Sequence, residues 1–271
     1  EQPPHDLLPL VKGDTSTKLF DANKVGNQYA FRPNWTAKPF DNPKIRQALM
    51  YAFNQEDFLK AVIGDAEYYK VCKSYYPCGS PNATTKGMED LLSSNMKKAQ
   101  ELLKEAGYDG TPIVLMHSTD LQVLTNLAPV AKSLMEKAGF KVDMQSMDWQ
   151  TLVARRAKKD PPNAGGWHAF ITNWVGADIS NPIFMGFMNS SCEKALFGWP
   201  CDAEIEKLRD QYAKETDATK LKAIAEATQI RAAQVVPHIP LGQWYLPSAM
   251  RKTVDNVLEA PAPVFWNVTL K

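Results

Sequence analysis

The chain has 271 residues, with 31 Lys+Arg against 30 Asp+Glu. That length can bury a sizeable core in one or two domains, and so balanced a charge gives no electrostatic basis for a nucleic-acid or anionic-membrane partner. No run of about 20 apolar residues suits a membrane-spanning helix, and Glu1-Gln-Pro-Pro-His-Asp6 lacks the basic and apolar parts of a secretory signal. The expectation is a removed signal, or a chain that begins inside a larger protein.

In chain order, residues 1–35 are mixed, with Gln28-Tyr-Ala-Phe-Arg32 as a candidate strand. Asn42 and Pro43 suit the cap and first position of a helix through Phe53. Ile45, Ala48, Leu49 and Phe53 form its apolar face. A short helix follows Asn54 and stops near Gly64. Residues 65–93 read as an irregular stretch. Two similar units come next. Asn95 opens a helix ended by Gly107 and followed by a strand at Pro112–His117. A second helix ends at Gly139 and leads into a strand over Lys141–Met147. Pro129 requires that helix to start near Asn126 or to kink. Such alternation favours a parallel or mixed sheet. Asp148 caps an expected helix through Lys159, and Asp160–Gly166 is a loop.

His168–Trp174 is an apolar run of β-branched and aromatic residues, which reads as a strand. It breaks at Val175-Gly-Ala-Asp178, where Gly176 permits a close backbone approach and Asn181-Pro182 stops the extended run. Asp178 therefore stands past a strand's carboxyl end, beside Trp174. That is where open α/β sheets bind ligands, although an Asp beside a core Trp is by itself an ordinary solvated loop residue. Asp202 and Asp217 open two further helices, and the tail from Ile239 to Lys271 carries short extended pieces.

The four cysteines form two close pairs, Cys72/Cys78 and Cys192/Cys201. Four cysteines allow three connectivities. Local pairing is the simplest, since each pair closes a short loop rich in Pro, Gly and aromatics. A zinc site is the competing reading, but neither spacing is the usual Cys-x2–4-Cys. Disulfides imply an oxidising compartment. No Gly-x-Ser-x-Gly elbow, His-Glu-x-x-His, phosphate-binding or dinucleotide-binding glycine motif occurs. The scattered His5, His117, His168 and His238 form no recognisable catalytic pattern, so no catalytic residue, metal or cofactor is expected.

Pro39-Phe-Asp-Asn-Pro-Lys-Ile-Arg-Gln-Ala-Leu, Ala99-Gln-Glu-Leu-Leu-Lys-Glu-Ala-Gly-Tyr, Asp148-Trp-Gln-Thr-Leu, Trp174-Val-Gly-Ala-Asp-Ile-Ser-Asn-Pro and Pro237-His-Ile-Pro-Leu follow one another at characteristic spacing. In that order the chain resembles the family 5 extracellular solute-binding proteins that serve peptide ABC importers. The resemblance implies an α/β fold, a periplasmic-binding-protein-like type II lobe with a mixed sheet flanked by helices. It implies the C-terminal half of a two-lobed, non-enzymatic receptor that lies in the periplasm or outside the cell, whose partners are its missing N-terminal half and an inner-membrane permease. Residues 1–32 would belong to the first lobe and hinge, 33–236 to the ligand-binding second lobe, and 237–271 to the return segment. It also implies that Asn173, Trp174, Val175, Gly176 and Ala177 meet a peptide or related cationic solute, with Asp178 receiving its amino group. Ser118, Thr119 and Trp244 would complete the contacts. The Cys192–Cys201 pair sits where dipeptide-binding members are similar. Those members place an Arg where this chain has Ser118-Thr-Asp120, which turns the expectation toward longer peptides or another cationic solute. The alternatives are a sensor or chaperone-like receptor on the same fold and, with no motif in support, a secreted hydrolase.

Overall fold

The structure, a computed structural model, describes residues 1–271. Its strands are β1 (Thr17–Phe20), β2 (Asn27–Pro33), β3 (Tyr69–Lys70), β4 (Ile113–Ser118), β5 (Val142–Met147), β6 (Ala169–Val175), β7 (Ile239–Trp244), β8 (Ser248–Arg251), β9 (Val254–Asp255) and β10 (Thr269–Leu270). The helices are α1 (Leu8–Gly13), α2 (Pro43–Ala52), α3 (Gln55–Val62), α4 (Met96–Glu105), α5 (Gln122–Thr125), α6 (Leu127–Ala138), α7 (Trp149–Arg155), α8 (Ala203–Lys214) and α9 (Ala218–Val235). No helix is long and apolar enough to cross a membrane.

Six strands form one mixed sheet in the order β3-β7-β2-β6-β4-β5. β4 runs parallel to β5 and β6, and the β7-β2-β6 pairs are antiparallel. Alternation along β2 divides the two faces. Tyr29 and Phe31 enter the larger core with α2, α3, α4 and α6. Ala30 enters a smaller aromatic core with Met116, Leu152, Trp167, Phe170, Phe187 and Trp199. Two short ribbons, β1 with β8 and β9 with β10, lie outside this sheet.

Most helix starts follow their predicted caps. The side chains of Asn42, Asn54, Asn95, Asp148, Asp202 and Asp217 each accept a backbone N–H from the first turn of α2, α3, α4, α7, α8 and α9. Pro129 lies in the first turn of α6, where its missing N–H has no partner to lose. One expectation changes. The helix expected to reach Lys159 ends at Arg155. Arg155 donates to the carbonyls of Gly165 and Gly166 at 3.0 and 2.7 Å, and the Asp160 carbonyl leaves no room for a Cβ at residue 166, so the chain must turn back there. Of the expected boundaries, 32/33 lies at the end of β2 and 236/237 in the turn between α9 and β7. β2 and β7 lie side by side within the sheet, because their apolar faces match those of β6 rather than of a separate unit.

Both cysteine pairs close locally, as Cys72–Cys78 and Cys192–Cys201. The second staple sits in a loop, residues 180–201, held by the buried Arg32. Its guanidinium donates to the carbonyls of Phe197, Phe187, Pro237 and Leu196 at 2.5, 2.8, 2.8 and 3.1 Å and lies over the Phe187 ring at 4.4 Å. Burial pulls the Arg32 pKa down to about 9, which still leaves it charged at neutral pH.

Candidate functional site

One end of the sheet gathers most of the residues in question. The register pairs Asn27 with Val175 and with Trp244, and Trp244 with Tyr69, so β2 and β3 start where β6 and β7 finish. The parallel pairings Met116↔Phe170 and Ser118↔Met147 bring the carboxyl ends of β4 and β5 to the same side. Outside the carboxyl ends of parallel strands, helix N-termini and loops leave room for a ligand.

β6 is buried through Thr172 and half-buried at Asn173, Trp174 and Val175. It passes directly into a 3-10 turn, Gly176–Ile179. Ile179 is buried and anchors the turn, which leaves Asp178 exposed and Ala177 half-exposed. The carboxylate of Asp178 enters no hydrogen bond or ion pair with this chain, so it stands free to meet a cation. Gly176 is required by crowding: its N–H donates to the Gly26 carbonyl at 2.8 Å, and a Cβ would lie 2.7 Å from Val25 Cγ1. The predicted close approach is thus to residues 25–26, which precede β2. The Trp174 ring meets Phe187 edge-on at 5.1 Å, and its indole N–H is buried without an acceptor. Beyond the turn, Asn181 accepts the N–H groups of Ile183 and Phe184, and the Phe184 ring is left exposed.

The β4 end is neutral or acidic. Ser118 is buried and donates to Asp120 Oδ1 at 3.1 Å, and the same oxygen accepts the first N–H of α7, from Trp149, at 2.7 Å. Thr119 is exposed, and its N–H and hydroxyl both donate to the Met147 carbonyl. Asp120 therefore stabilises a helix start, where a carboxylate is favoured. Trp244 is the remaining expected contact. That side chain is 3 % exposed and stacks on Tyr29 at 5.1 Å, with His5 at 5.9 Å, so it is a core residue beneath the sheet end. A depression of about 740 Å³ at this end, lined by His5, Tyr68, Leu121 and Leu246, includes none of the expected contacts.

The buried histidines serve packing. His117 bridges Ser146 Oγ and the Thr125 carbonyl at 2.9 and 2.8 Å. His168 Nδ1 accepts the Val114 N–H while Nε2 donates to the Lys38 carbonyl, and burial lowers its pKa. Burial, with the Arg32 charge, pushes His238 down to about 3, so it stays neutral. Sequence reasoning missed Gln243, which is 1 % exposed and binds the segments on either side of the turn. Its signal was one amide inside the apolar strand Ile239-Pro-Leu-Gly-Gln-Trp244. Arg32, at the end of Gln28-Tyr-Ala-Phe-Arg, carried a similar signal.

The profile of bacterial extracellular solute-binding proteins, family 5 Middle, matches residues 1–195. The chain is 34 % identical over 270 residues to a probable peptide ABC transporter periplasmic-binding protein, y4tO of Sinorhizobium fredii, covering 98 % of this chain and 50 % of that protein. It is 26 % identical to di/tripeptide-binding protein 2 of Pseudomonas aeruginosa, covering 95 % of this chain and 48 % of the relative. Among solved structures, the oligopeptide-binding protein AppA of Bacillus subtilis, in complex with a nonapeptide, superposes with a TM-score of 0.81 at 19 % identity, over all of this chain and 55 % of that one. The last likeness shows the type II periplasmic-binding-protein fold. The chain spans about half the length of the curated relatives it matches.

Proposed function

We propose, from the premise that this chain belongs to the bacterial extracellular solute-binding proteins of family 5, that it is the greater part of the second lobe of a periplasmic receptor feeding peptides to an ABC permease. The first lobe would come from the rest of the protein, with the β1–β8 ribbon as its point of attachment. The sheet of β2–β7 would be the second lobe, and the boundaries would then lie at residues 21–26 and 245–247. Closure of the two lobes would then enclose the solute. Asn173–Ala177 would run along the solute backbone, Trp174 would be an apolar wall, and Ser118 and Thr119 would border the far side. Main-chain pairing reads no side chains and suits a broad peptide diet.

One observation carries this reading: Asp178 is an exposed carboxylate without a partner, held on a rigid turn at the carboxyl end of β6. In a closing, water-poor cleft it would make a charge-assisted hydrogen bond to an ammonium. With no cation at the Ser118–Asp120 end, the solute's carboxylate finds no anchor there, which favours peptides of three residues or more.

A thermal-shift series on the full-length protein tests this, with free and N-acetylated peptides of two to eight residues. Solute at about 100 times its Kd adds about 2.7 kcal/mol. The expected result is a shift with free peptides that N-acetylation or Asp178→Ala abolishes. A shift that survives both removes the amine anchor, and no shift with any peptide removes the peptide receptor.

A further inference from the structure

Resting on that two-lobe reading, we infer that Gln243 is a positioning residue that locks both interlobe crossings and the Asp178 turn into one rigid body. On these two crossings the pivot of closure thereby falls on Asp21–Ala22 and Leu246–Pro247.

The argument begins with the first crossing, residues 21–26. Its second half is a closed turn: Gly26 N–H donates to the Asn23 carbonyl at 2.9 Å, and the Asn23 side-chain amide donates to the Gly26 carbonyl at 3.0 Å. That same Gly26 carbonyl accepts the N–H of Gly176, which opens the Asp178 turn. Neither glycine tolerates a side chain. A Cβ at Gly26, where φ is +70°, would lie 2.6 Å from the Trp244 carbonyl, and one at Gly176 would strike Val25. The solute turn and the first crossing therefore touch backbone to backbone, and one cannot shift without the other.

Gln243 extends this contact to the second crossing. Its Nε2 donates to the Val25 carbonyl at 2.8 Å and to the Tyr245 hydroxyl at 2.9 Å, while its Oε1 accepts the Cys78 N–H at 2.7 Å. Tyr245 is held in addition through its N–H on the Tyr68 carbonyl and its carbonyl against His5 Nε2. One buried amide thus joins the first crossing, the second crossing and the loop stapled by Cys72–Cys78. A fully satisfied buried amide holds its partners in a single arrangement.

The next residues outward are different. Asp21, Ala22, Leu246 and Pro247 take part in no hydrogen bond or ion pair, whereas Phe20 and Ser248 are already paired in the β1–β8 ribbon. Hinges form where a few residues can change φ and ψ without breaking bonds. These are the unbonded residues on the two crossings between ribbon and knot, so rotation there falls on them and Asp178 rides with its own sheet. The N-terminal segment, which holds Ala249 of the ribbon through Glu1 and Tyr245 of the knot through His5, is a third link that must give as the lobes turn.

Amide exchange by NMR on this chain tests the knot. In the wild type, the amides of Gly26 and Gly176 are expected to exchange at least a hundredfold more slowly than those of Asp21, Ala22 and Leu246. Gln243→Glu keeps the acceptor for Cys78 but places a carboxylate oxygen against the Val25 carbonyl. It should speed exchange at Gly26 and Gly176 at least tenfold and leave Cys78 and the β4 amide of Leu115 unchanged. Gln243→Ala, the second variant should the first not fold, should release Cys78 as well. Equal exchange at Gly26 and Ala22, unchanged protection of Gly176 in the variants, or a uniform loss that includes Leu115 would each overturn the inference. Spin labels on the two lobes of the full-length protein, with a pool of di- to octapeptides, test the underlying reading separately. A fixed distance there would remove lobe closure while the exchange pattern stood.

Discussion

Arg32→Met removes the clamp on the 180–201 loop and shows how much a buried cation contributes to this site. The guanidinium is fully buried, donates to four main-chain carbonyls and has no carboxylate partner. Methionine fills most of the volume but satisfies none of those carbonyls. A hydrogen bond to a charged donor contributes roughly 1.5–3 kcal/mol. Against that stands the cost of keeping the cation out of water, visible in its pKa of about 9. With part of that cost recovered, the net loss should be about 3–5 kcal/mol, since each buried carbonyl left unpaired costs about 1–3 kcal/mol. In urea unfolding followed by tryptophan fluorescence, the midpoint should fall with an unchanged m-value. The loss corresponds to a drop in Tm of about 5–9 °C for a chain of this size. Arg32→Lys should recover less than half, because one ammonium has only three donors for these carbonyls. Because Phe187 packs on Trp174, amide protection over residues 183–198 should fall before that of β4 and β5. A loss below about 1 kcal/mol would mean that water reaches the four carbonyls freely, and the clamp would then be no clamp.

Three further predictions follow from the same structure. The folded pKa of His238, about 3, lies below its ordinary value of 6.5, so the unfolded chain binds the extra proton between those limits. Stability should be unaffected by this group above pH 6.5 and should fall as pH drops below it, by about 2 kcal/mol between pH 6.5 and 5. His238→Gln should flatten that part of the stability–pH curve; an unchanged slope would show that another group sets it. Non-reducing peptide mapping should recover Cys72–Cys78 and Cys192–Cys201, and Cys192→Ser with Cys201→Ser should cost about 2–3 kcal/mol by loop-closure entropy; crossed pairs would contradict the fold around both loops. Asp217 accepts the Lys220 N–H at the start of α9, so Asp217→Ala should lower stability by about 1 kcal/mol in chemical denaturation, whereas no change would mean that water replaces the cap.

Much of this architecture is local, and local features are legible in a sequence. The caps at Asn42, Asn95, Asp148 and Asp217 and the stop at Gly139 need only neighbouring residues to act. The strand over 169–175 was legible because most of its side chains are β-branched or aromatic. Gly176 was read as a point of close backbone approach, and the crowding at Val25 and Gly26 supplies the reason. The ordered run of motifs, with Trp174 to Pro182 at its centre, was enough to reach the family that residues 1–195 match.

What approaches what, across long stretches of chain, was decided only by tertiary packing. β2 and β7 are short extended pieces whose sequences fit a sheet edge, a hinge or a core equally well. Their places in the main sheet depend on complementary faces some 140 to 210 residues away. Trp244 read as a binding-site aromatic, and only the fold shows that it stacks on Tyr29 in the core. Arg32 and Gln243 read as isolated polar residues in apolar strands, and only the fold brings them the carbonyls they hold. A sequence states which groups need partners, because burying a donor without one costs free energy. It does not say which distant carbonyl will be there, because that follows from how the whole chain closes on itself.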